Sequence, residues 1–361
     1  MGAMHVDRIA TLAAFDAERE RWERLERQDP HATVFTSWSW LRAYFPTARY
    51  RWSVLALRED GEPIAYLPIA HNGSLLDREL FLGGNPVADY AGMIALPSHA
   101  EKAIGAFADA LLAEPWDGFN VGDVNDERLE RLVRRLQERG IVLVSSEETR
   151  CLSCALPDSW DEYVTKQISS KTRVNTLRVE RRLAEALPGF RISEPTDADI
   201  DAHVEAMIRV NHKRWGGNLI RAREKYGRLF RNAYDAGLLH MIVYWDGDVP
   251  IAGAAAFVDP LRSSFGLYMI GFDEAYDKLS PGKGIVGNAI RRAIECGYRR
   301  FDFLRGDEPF KARYANDLTV TRQFRLARPG LRAAAIELAR PKWFALKIAV
   351  ANLVYGPGRT V

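Results

Sequence analysis

Among the 361 residues of this chain, the group with the clearest chemical promise is Leu279-Ser280-Pro281-Gly282-Lys283-Gly284. It follows an apolar run over 264–270. It also opens a segment in which Ile285, Ala289, Ile290, Ala293 and Ile294 share one face at helical spacing, with Arg291, Arg292 and Glu295 turned away. Gly297 is placed to stop that helix. A helix start presents unpaired N–H groups and the positive end of the helix dipole, and glycine lets an anion approach the main chain with no Cβ in the way. The chemistry this suits is a grip on a pyrophosphate, made by Gly282, Lys283, Gly284 and Ile285. On that reading Gly284→Asp is expected to abolish binding of the anion and leave the fold intact.

Other chemistries find little support. Cys151 and Cys154 have metal-like spacing but no second pair and no nearby histidine, so no metal is expected. The chain has no His-Glu-x-x-His, no Gly-x-Ser-x-Gly and no full Walker loop. A basic run, with Lys166, Lys171, Arg173, Arg178, Arg181 and Arg182 against the single acid Glu180, reads either as a solvated helix face or as an anion-recognition helix.

The elements that must position the glycine loop occur twice. An apolar strand, the turn Glu59-Asp60-Gly61-Glu62 and a second strand over 63–70 form one hairpin signal; strands around Asp246-Gly247-Asp248 form another. Pro63-Ile64-Ala65 in the first answers Pro250-Ile251-Ala252 in the second. Downstream, each half carries a strand, an amphipathic helix (100–113 and 284–296) and a further strand (118–121 and 298–304). This order predicts a duplication. The first helix is preceded by Ala95-Leu96-Pro97-Ser98-His99, with no Gly-x-Gly, so one half is expected to bind a phosphate and the other not. Between the halves, 159–187 reads as one helix bounded by Pro157 and Pro188-Gly189, and 197–214 as another.

Composition bounds the rest. With 50 Lys+Arg against 48 Asp+Glu, a net charge of +2 and 47% hydrophobic residues, the chain is a globular protein of about two domains and not a disordered one. So small a charge offers no whole-molecule case for nucleic acid. Three cysteines make no disulfide framework, which fits a reducing compartment. Asp7, Arg8, Asp16 and Glu18 interrupt any signal-like run, and no apolar stretch is long enough to span a bilayer, so a cytoplasmic place is expected. The apolar segment 342–355 either docks on the protein or meets the inner face of a membrane as a peripheral contact.

Several stretches resemble a known family. Ser170-Lys171-Thr172-Arg173-x-Asn175, Asn211-His212-Lys213-Arg214-Trp215, Gly271-Phe272-Asp273-x-x-Tyr276, Ser280-Pro281-Gly282 and the run from Phe301 through Asp302 to Tyr314 are similar to GNAT-type acyl-CoA N-acyltransferases. The duplicated order looks like the Fem-type and CelD/BcsL-like branch, also called the BioF2-like acetyltransferase domain. Together the matches span about 32–326. Two positions depart from the pattern: Leu279 stands where the wider superfamily has Arg or Gln, and Tyr314 where relatives have Trp.

The resemblance implies an α/β fold (mixed α+β) of two tandem GNAT-like units, each a twisted mixed sheet flanked by helices, with a connecting helix and a C-terminal helical tail. The expected division is an N-terminal unit over 6–157, a basic connecting helix over 158–188, a C-terminal unit over 189–328 and the tail over 329–361. It further implies attack of a substrate amine on an acyl-CoA thioester, acetyl-CoA or longer. Main-chain N–H groups of Ile270, Gly271 and Phe272 would polarise the carbonyl, and His212, Asp302, Asp307 and Glu308 are candidates to take the amine proton. Lys171, Arg173, Asn175, Trp215, Lys311, Arg313 and Tyr314 are candidates for substrate contact, with Lys311 and Arg313 either pairing locally or holding an anionic substrate. The acceptor expected is a small-molecule amine or a lipid-linked amino sugar of polysaccharide biosynthesis. A long-chain N-acyltransferase making an amide-linked lipid and a non-catalytic sensor of an anionic nucleotide are the alternatives.

Overall fold

A computed structural model describes residues 3–74, 77–216, 218–330 and 338. The two turn signatures close two antiparallel hairpins: β2 (Arg51–Glu59) with β3 (Glu62–His71), and β9 (Leu239–Asp246) with β10 (Val249–Asp259). Asp60 and Gly61 both take positive φ, at 52° and 84°, the twist that a two-residue hairpin turn demands. Before the first hairpin come β1 (Met4–Ile9), α1 (Leu12–Asp16), α2 (Arg19–Gln28) and α3 (Trp38–Tyr44). After it come β4 (Glu79–Leu82), β5 (Ile94–Ala95), α4 (Ala100–Ala113), β6 (Gly118–Val124), α5 (Glu127–Glu138) and β7 (Val142–Ala155).

The second half begins with α6 (Trp160–Glu162), α7 (Ser170–Leu177) and α8 (Val179–Ala186), then β8 (Phe190–Ser193), α9 (Ile200–Trp215) and α10 (Leu219–Asp235). Its second hairpin leads into β11 (Ser264–Phe272), α11 (Pro281–Glu295), β12 (Arg300–Arg305) and β13 (Asp317–Ala327).

The described residues divide into two compact units, one of residues up to 149 with 320–330, the other of 150–319. Strand order is β1-β2-β3-β4-β6-β13 in the first, with β5 on β3, and β8-β9-β10-β11-β12-β7 in the second. Each unit therefore repeats one plan: a leading strand, a hairpin, a fourth strand, and a fifth reached in parallel across a helix, α4 or α11. The mixed α/β architecture of two tandem units is the one expected from the sequence.

The sixth strand of each unit lies outside the half expected from the sequence to hold it. Residues 322–327 of β13 pair with β6 in the first unit, and residues 151–155 of β7 pair with β12 in the second. This exchange is why the units part at 149/150 and 319/320 and not at 157/158 and 328/329. Helix periodicity cannot reveal which edge a late strand will join.

The connecting segment also differs from one continuous helix over 159–187. It breaks into α6, a π-helical turn at Tyr163–Gln167, α7 and α8. Ile168 is extended, and Ser169 caps α7 by accepting the Thr172 N–H at 3.2 Å, so the start signal sits inside the run. The pieces pack on α11 of the second unit: a Cβ on Gly287 would lie 2.2 Å from the Thr176 methyl, so α7 approaches α11 closely. The tail expected over 329–361, including 342–355, lies outside the described residues apart from 329, 330 and 338.

Candidate functional site

In the second unit β11 and β12 pair for three residues, Ser264–Gly266 against Arg300–Asp302. Beyond them β11 continues along β10 to Phe272, with a bulge near Tyr268, where the register shifts between Ala255 and Ala256. The β12 strand bends away through its own extra residue. There Leu304 takes φ 55°, and its N–H donates to Asp302 Oδ1 at 2.7 Å. At the parted ends a cavity of about 280 Å³ is lined by Ile270, Gly271 and Phe272 of β11, by Gly282, Lys283 and Val286 of α11, and by Phe310, Arg313 and Tyr314 after β12. Arg214, Trp215, Asp277 and Ser280 complete it.

Close approach of α9 to β11 builds one wall. A Cβ on Gly271 would fall 2.3 Å from Asn211 N and 2.4 Å from its Cα, both main-chain atoms of α9. The Ile270 carbonyl then accepts from Asn211 Nδ2 at 2.9 Å and from Trp215 Nε1 at 3.0 Å. The Trp215 ring remains 46% exposed, with the Arg214 guanidinium 4.8 Å from it and 5.1 Å from the Phe272 ring. Glu274 pairs with Arg214 at 3.2 Å. Gly271→Ala is therefore expected to force α9 from β11 and cost about 1–3 kcal/mol, as overpacking does. Urea unfolding measures this; an unchanged midpoint would show that the helix can yield.

The start of α11 forms the opposite wall. Ser280 takes φ 58° ahead of Pro281 at the first helical position, where the missing proline N–H costs nothing. The Lys283 N–H donates to the Ser280 carbonyl at 3.0 Å, and Gly282, one residue into the helix, carries an N–H with no intrahelical acceptor. A Cβ on Gly282 would lie 2.8 Å from the Phe272 ring, so glycine there lets the ring lie against the helix start. Lys283 is exposed and has no ion pair among the described residues.

Gly284 and Ile285 face the other way. Ile285 is fully buried, and a Cβ on Gly284 would fall 2.7 Å from Val179 Cγ1 and 3.2 Å from the Tyr244 ring. This corrects the expectation for Gly284→Asp: the new side chain meets α8 and β9 packing and threatens the fold itself. Arg182 of α8 also donates to the Leu279 carbonyl at 3.1 Å, a tie between the basic segment and the loop that sequence spacing did not show.

The remaining candidates separate by their partners. Asp302 is buried, holding the β12 bulge through Leu304 and lying 3.7 Å from Arg300. Asp307 lies 3.9 Å from Arg150, and Glu308 2.8 Å from Lys311 Nζ. Lys311 is itself buried, donating to the Arg305 and Gly306 carbonyls at 2.7 and 3.1 Å. His212 sits one turn before Trp215, its Nδ1 3.2 Å from the Gly216 carbonyl. On α7, Lys171 and Asn175 are exposed and Arg173 half-buried; none of the three lines the cavity.

Tyr314 does line it. Its hydroxyl lies 3.1 Å from Thr176 Oγ1, its carbonyl accepts from the Tyr163 hydroxyl at 2.7 Å, and burial raises its phenol above the ordinary value against the pull of Thr176 and Arg313. Arg214, Asp277, Val286 and Phe310 were not among the sequence candidates. Val286 is one helical turn beyond Lys283 and could have been placed by period alone. Among the described residues no group of three His, Cys, Asp or Glu is arranged to hold a metal, and no helix is long and apolar enough to cross a membrane.

Residues 170–312, which supply every residue of the cavity lining except Arg313 and Tyr314, match the family described as acetyltransferase (GNAT) domain. Among solved structures the chain is similar to FemX, with TM-score 0.62 and 11% identity over 89% of this chain and 98% of that one. It is also similar to a tandem GNAT protein from the clavulanic acid biosynthesis pathway, with TM-score 0.52 and 10% identity over 90% and 100%. A third is L-PGS from Bacillus licheniformis, with TM-score 0.52 and 11% identity over 89% and 96%. Such identities carry the fold alone. No curated protein matches the chain by sequence. The chain thus has the tandem GNAT fold, and residues 170–312 in its second unit match the acetyltransferase (GNAT) domain family.

Proposed function

We propose that this protein is an N-acyltransferase that moves an acyl group, acetyl in the simplest case, from an acyl-CoA thioester to an amine. The observation that carries the reading is the parting of β11 and β12 over a cavity that ends at the start of α11, beside the unpaired Lys283. A cavity of about 280 Å³ suits the pantetheine arm and a short acyl group, with the nucleotide lying outside. The Gly282 N–H, the helix dipole and Lys283 suit the diphosphate.

In the reaction the amine first loses a proton, then its nitrogen attacks the thioester carbonyl carbon. The C–N bond forms, the C–S bond breaks, and the thiolate takes up a proton, so that an ammonium and a thioester yield an amide, a thiol and one proton. His212 is our choice to accept the amine proton. With Nδ1 directed at the Gly216 carbonyl, the hydrogen belongs on Nδ1 and Nε2 is the acceptor. Asp302, Asp307 and Glu308 are engaged by Leu304, Arg150 and Lys311. The acceptor we favour is an amino sugar, as in the CelD/BcsL-like branch, because the exposed Trp215 ring beside Arg214 offers an apolar platform with a polar rim. Long-chain N-acylation is the second reading, favoured by Val174 and Leu177, 39% and 51% exposed on α7 between Lys171 and Arg178.

Calorimetric titration with acetyl-CoA and palmitoyl-CoA tests the assignment, followed by thiol release in the presence of amines. Lys283→Glu is expected to weaken acetyl-CoA binding about 10–100-fold, the scale of a charge-assisted hydrogen bond, and to leave the melting temperature of the free protein unchanged. An unchanged affinity would remove Lys283 from the site. Binding of palmitoyl-CoA alone would favour the lipid enzyme, and binding without transfer to any amine the sensor.

A further inference from the structure

Resting on the transferase reading and carrying it further, we propose that the acceptor amine bears a phosphate group and that Arg313 is the residue that recognises it. The short 3₁₀ turn Lys311–Arg313 decides which cation is available. In a 3₁₀ turn residues three apart share a face, and Lys311 and Tyr314 are both buried. Lys311 is held within its own loop, donating to the carbonyls of Arg305 and Gly306 and forming an ion pair with Glu308. Arg313 falls outside that face. It lines the cavity, is exposed, and its side chain has no hydrogen bond or ion pair among the described residues.

The segment carrying Arg313 is pinned next door, since Tyr163 holds the Tyr314 carbonyl at 2.7 Å and Thr176 the Tyr314 hydroxyl at 3.1 Å. A guanidinium on a fixed base, presenting a planar fork of donors, matches a phosphate better than a mobile lysine would. Its charge is not balanced within the site. Arg214 is answered by Glu274, and Asp277 is the single carboxylate residue of the lining, against Arg214, Lys283 and Arg313. Lys283 stands at the start of α11, where the thioester's diphosphate is placed by our reading, whereas Arg313 comes from the wall after β12. Two unpartnered cations on separate walls call for two anions.

The test uses two amine pairs that differ only by phosphate, ethanolamine with phosphoethanolamine and glucosamine with glucosamine 6-phosphate. Each is titrated into the full chain with and without saturating CoA, and each is assayed for thiol release from acetyl-CoA. The phosphorylated member of at least one pair is expected to bind, and to react by kcat/KM, about tenfold or more better than its neutral partner, as one charge-assisted hydrogen bond allows. Arg313→Gln should erase that preference and affect acetyl-CoA affinity far less than it affects binding of the phosphorylated amine.

Equal binding of both members in each pair by the unaltered protein would overturn the proposal. So would a preference that survives Arg313→Gln, or a loss of acetyl-CoA affinity in that variant as large as its loss for the phosphorylated amine, which would give Arg313 to a phosphate of the coenzyme. Failure of acetyl-CoA to bind would count against the transferase reading, and the titrations without CoA would still decide the phosphate preference.

Discussion

Replacing His212 with alanine should lower kcat for acetyl transfer about 10²–10⁴-fold, the usual contribution of a positioned general base, while acetyl-CoA affinity stays within about twofold. The expectation follows from placement. His212 lies one turn before Trp215 on the helix whose end walls the cavity, and it is outside the lining itself, so its removal spares the thioester contacts. A competing structural role must be separated, because the Nδ1 contact to the Gly216 carbonyl also closes the end of α9. His212→Asn does so: its amide can still donate to Gly216 but offers no counterpart of Nε2. Recovery of full kcat in the asparagine variant would assign His212 to the helix end and leave the amine to be deprotonated by water.

The largest stability effect is expected in the first unit. Arg128 is 2% exposed and donates to Asp126 Oδ2 at 2.7 Å, to Asp29 Oδ2 at 2.9 Å and to the Met93 carbonyl at 3.2 Å. Asp29 also accepts the Ala95 N–H at 2.8 Å, so a single guanidinium ties α5 to the turn after α2 and to β5. Arg128→Met would leave two buried carboxylates without their counter-charge, and such a change costs about 3–5 kcal/mol. Urea unfolding of the full chain measures it, and a loss below about 1 kcal/mol would mean that water or a rearranged side chain replaces the guanidinium. None of these residues lines the cavity, so acetyl-CoA affinity, measured where the variant is still folded, should not change.

How far the sequence reached can be judged from particular elements. The helix expected over 100–113 is α4, Ala100–Ala113, and both hairpins turn where Asp60-Gly61 and Gly247 stand. Each depends on neighbours within a few residues, through apolar period or positive φ. The run 159–187 failed as one helix because Ser169 is itself a cap, a signal masked by helix formers on either side. The helix α10, Leu219–Asp235, has no counterpart among the sequence expectations. Around the cavity, Ile270, Gly271, Phe272, Gly282 and Lys283 were named from sequence and lie together, whereas Gly284 and Ile285, one helical step away, turn into the core.

The sequence by itself determined the repeated plan of the two halves and the glycine-opened helix, since turn chemistry and hydrophobic period are local properties of a chain. Only the tertiary structure decided which polar groups remain free. Lys311 and Arg313 are equivalent cations in the sequence; folding spends the first on the Arg305 and Gly306 carbonyls and leaves the second at the cavity. The same holds for the exchange of β7 and β13, because hydrogen-bond partners and sheet edges come from distant parts of the chain and no local pattern encodes them.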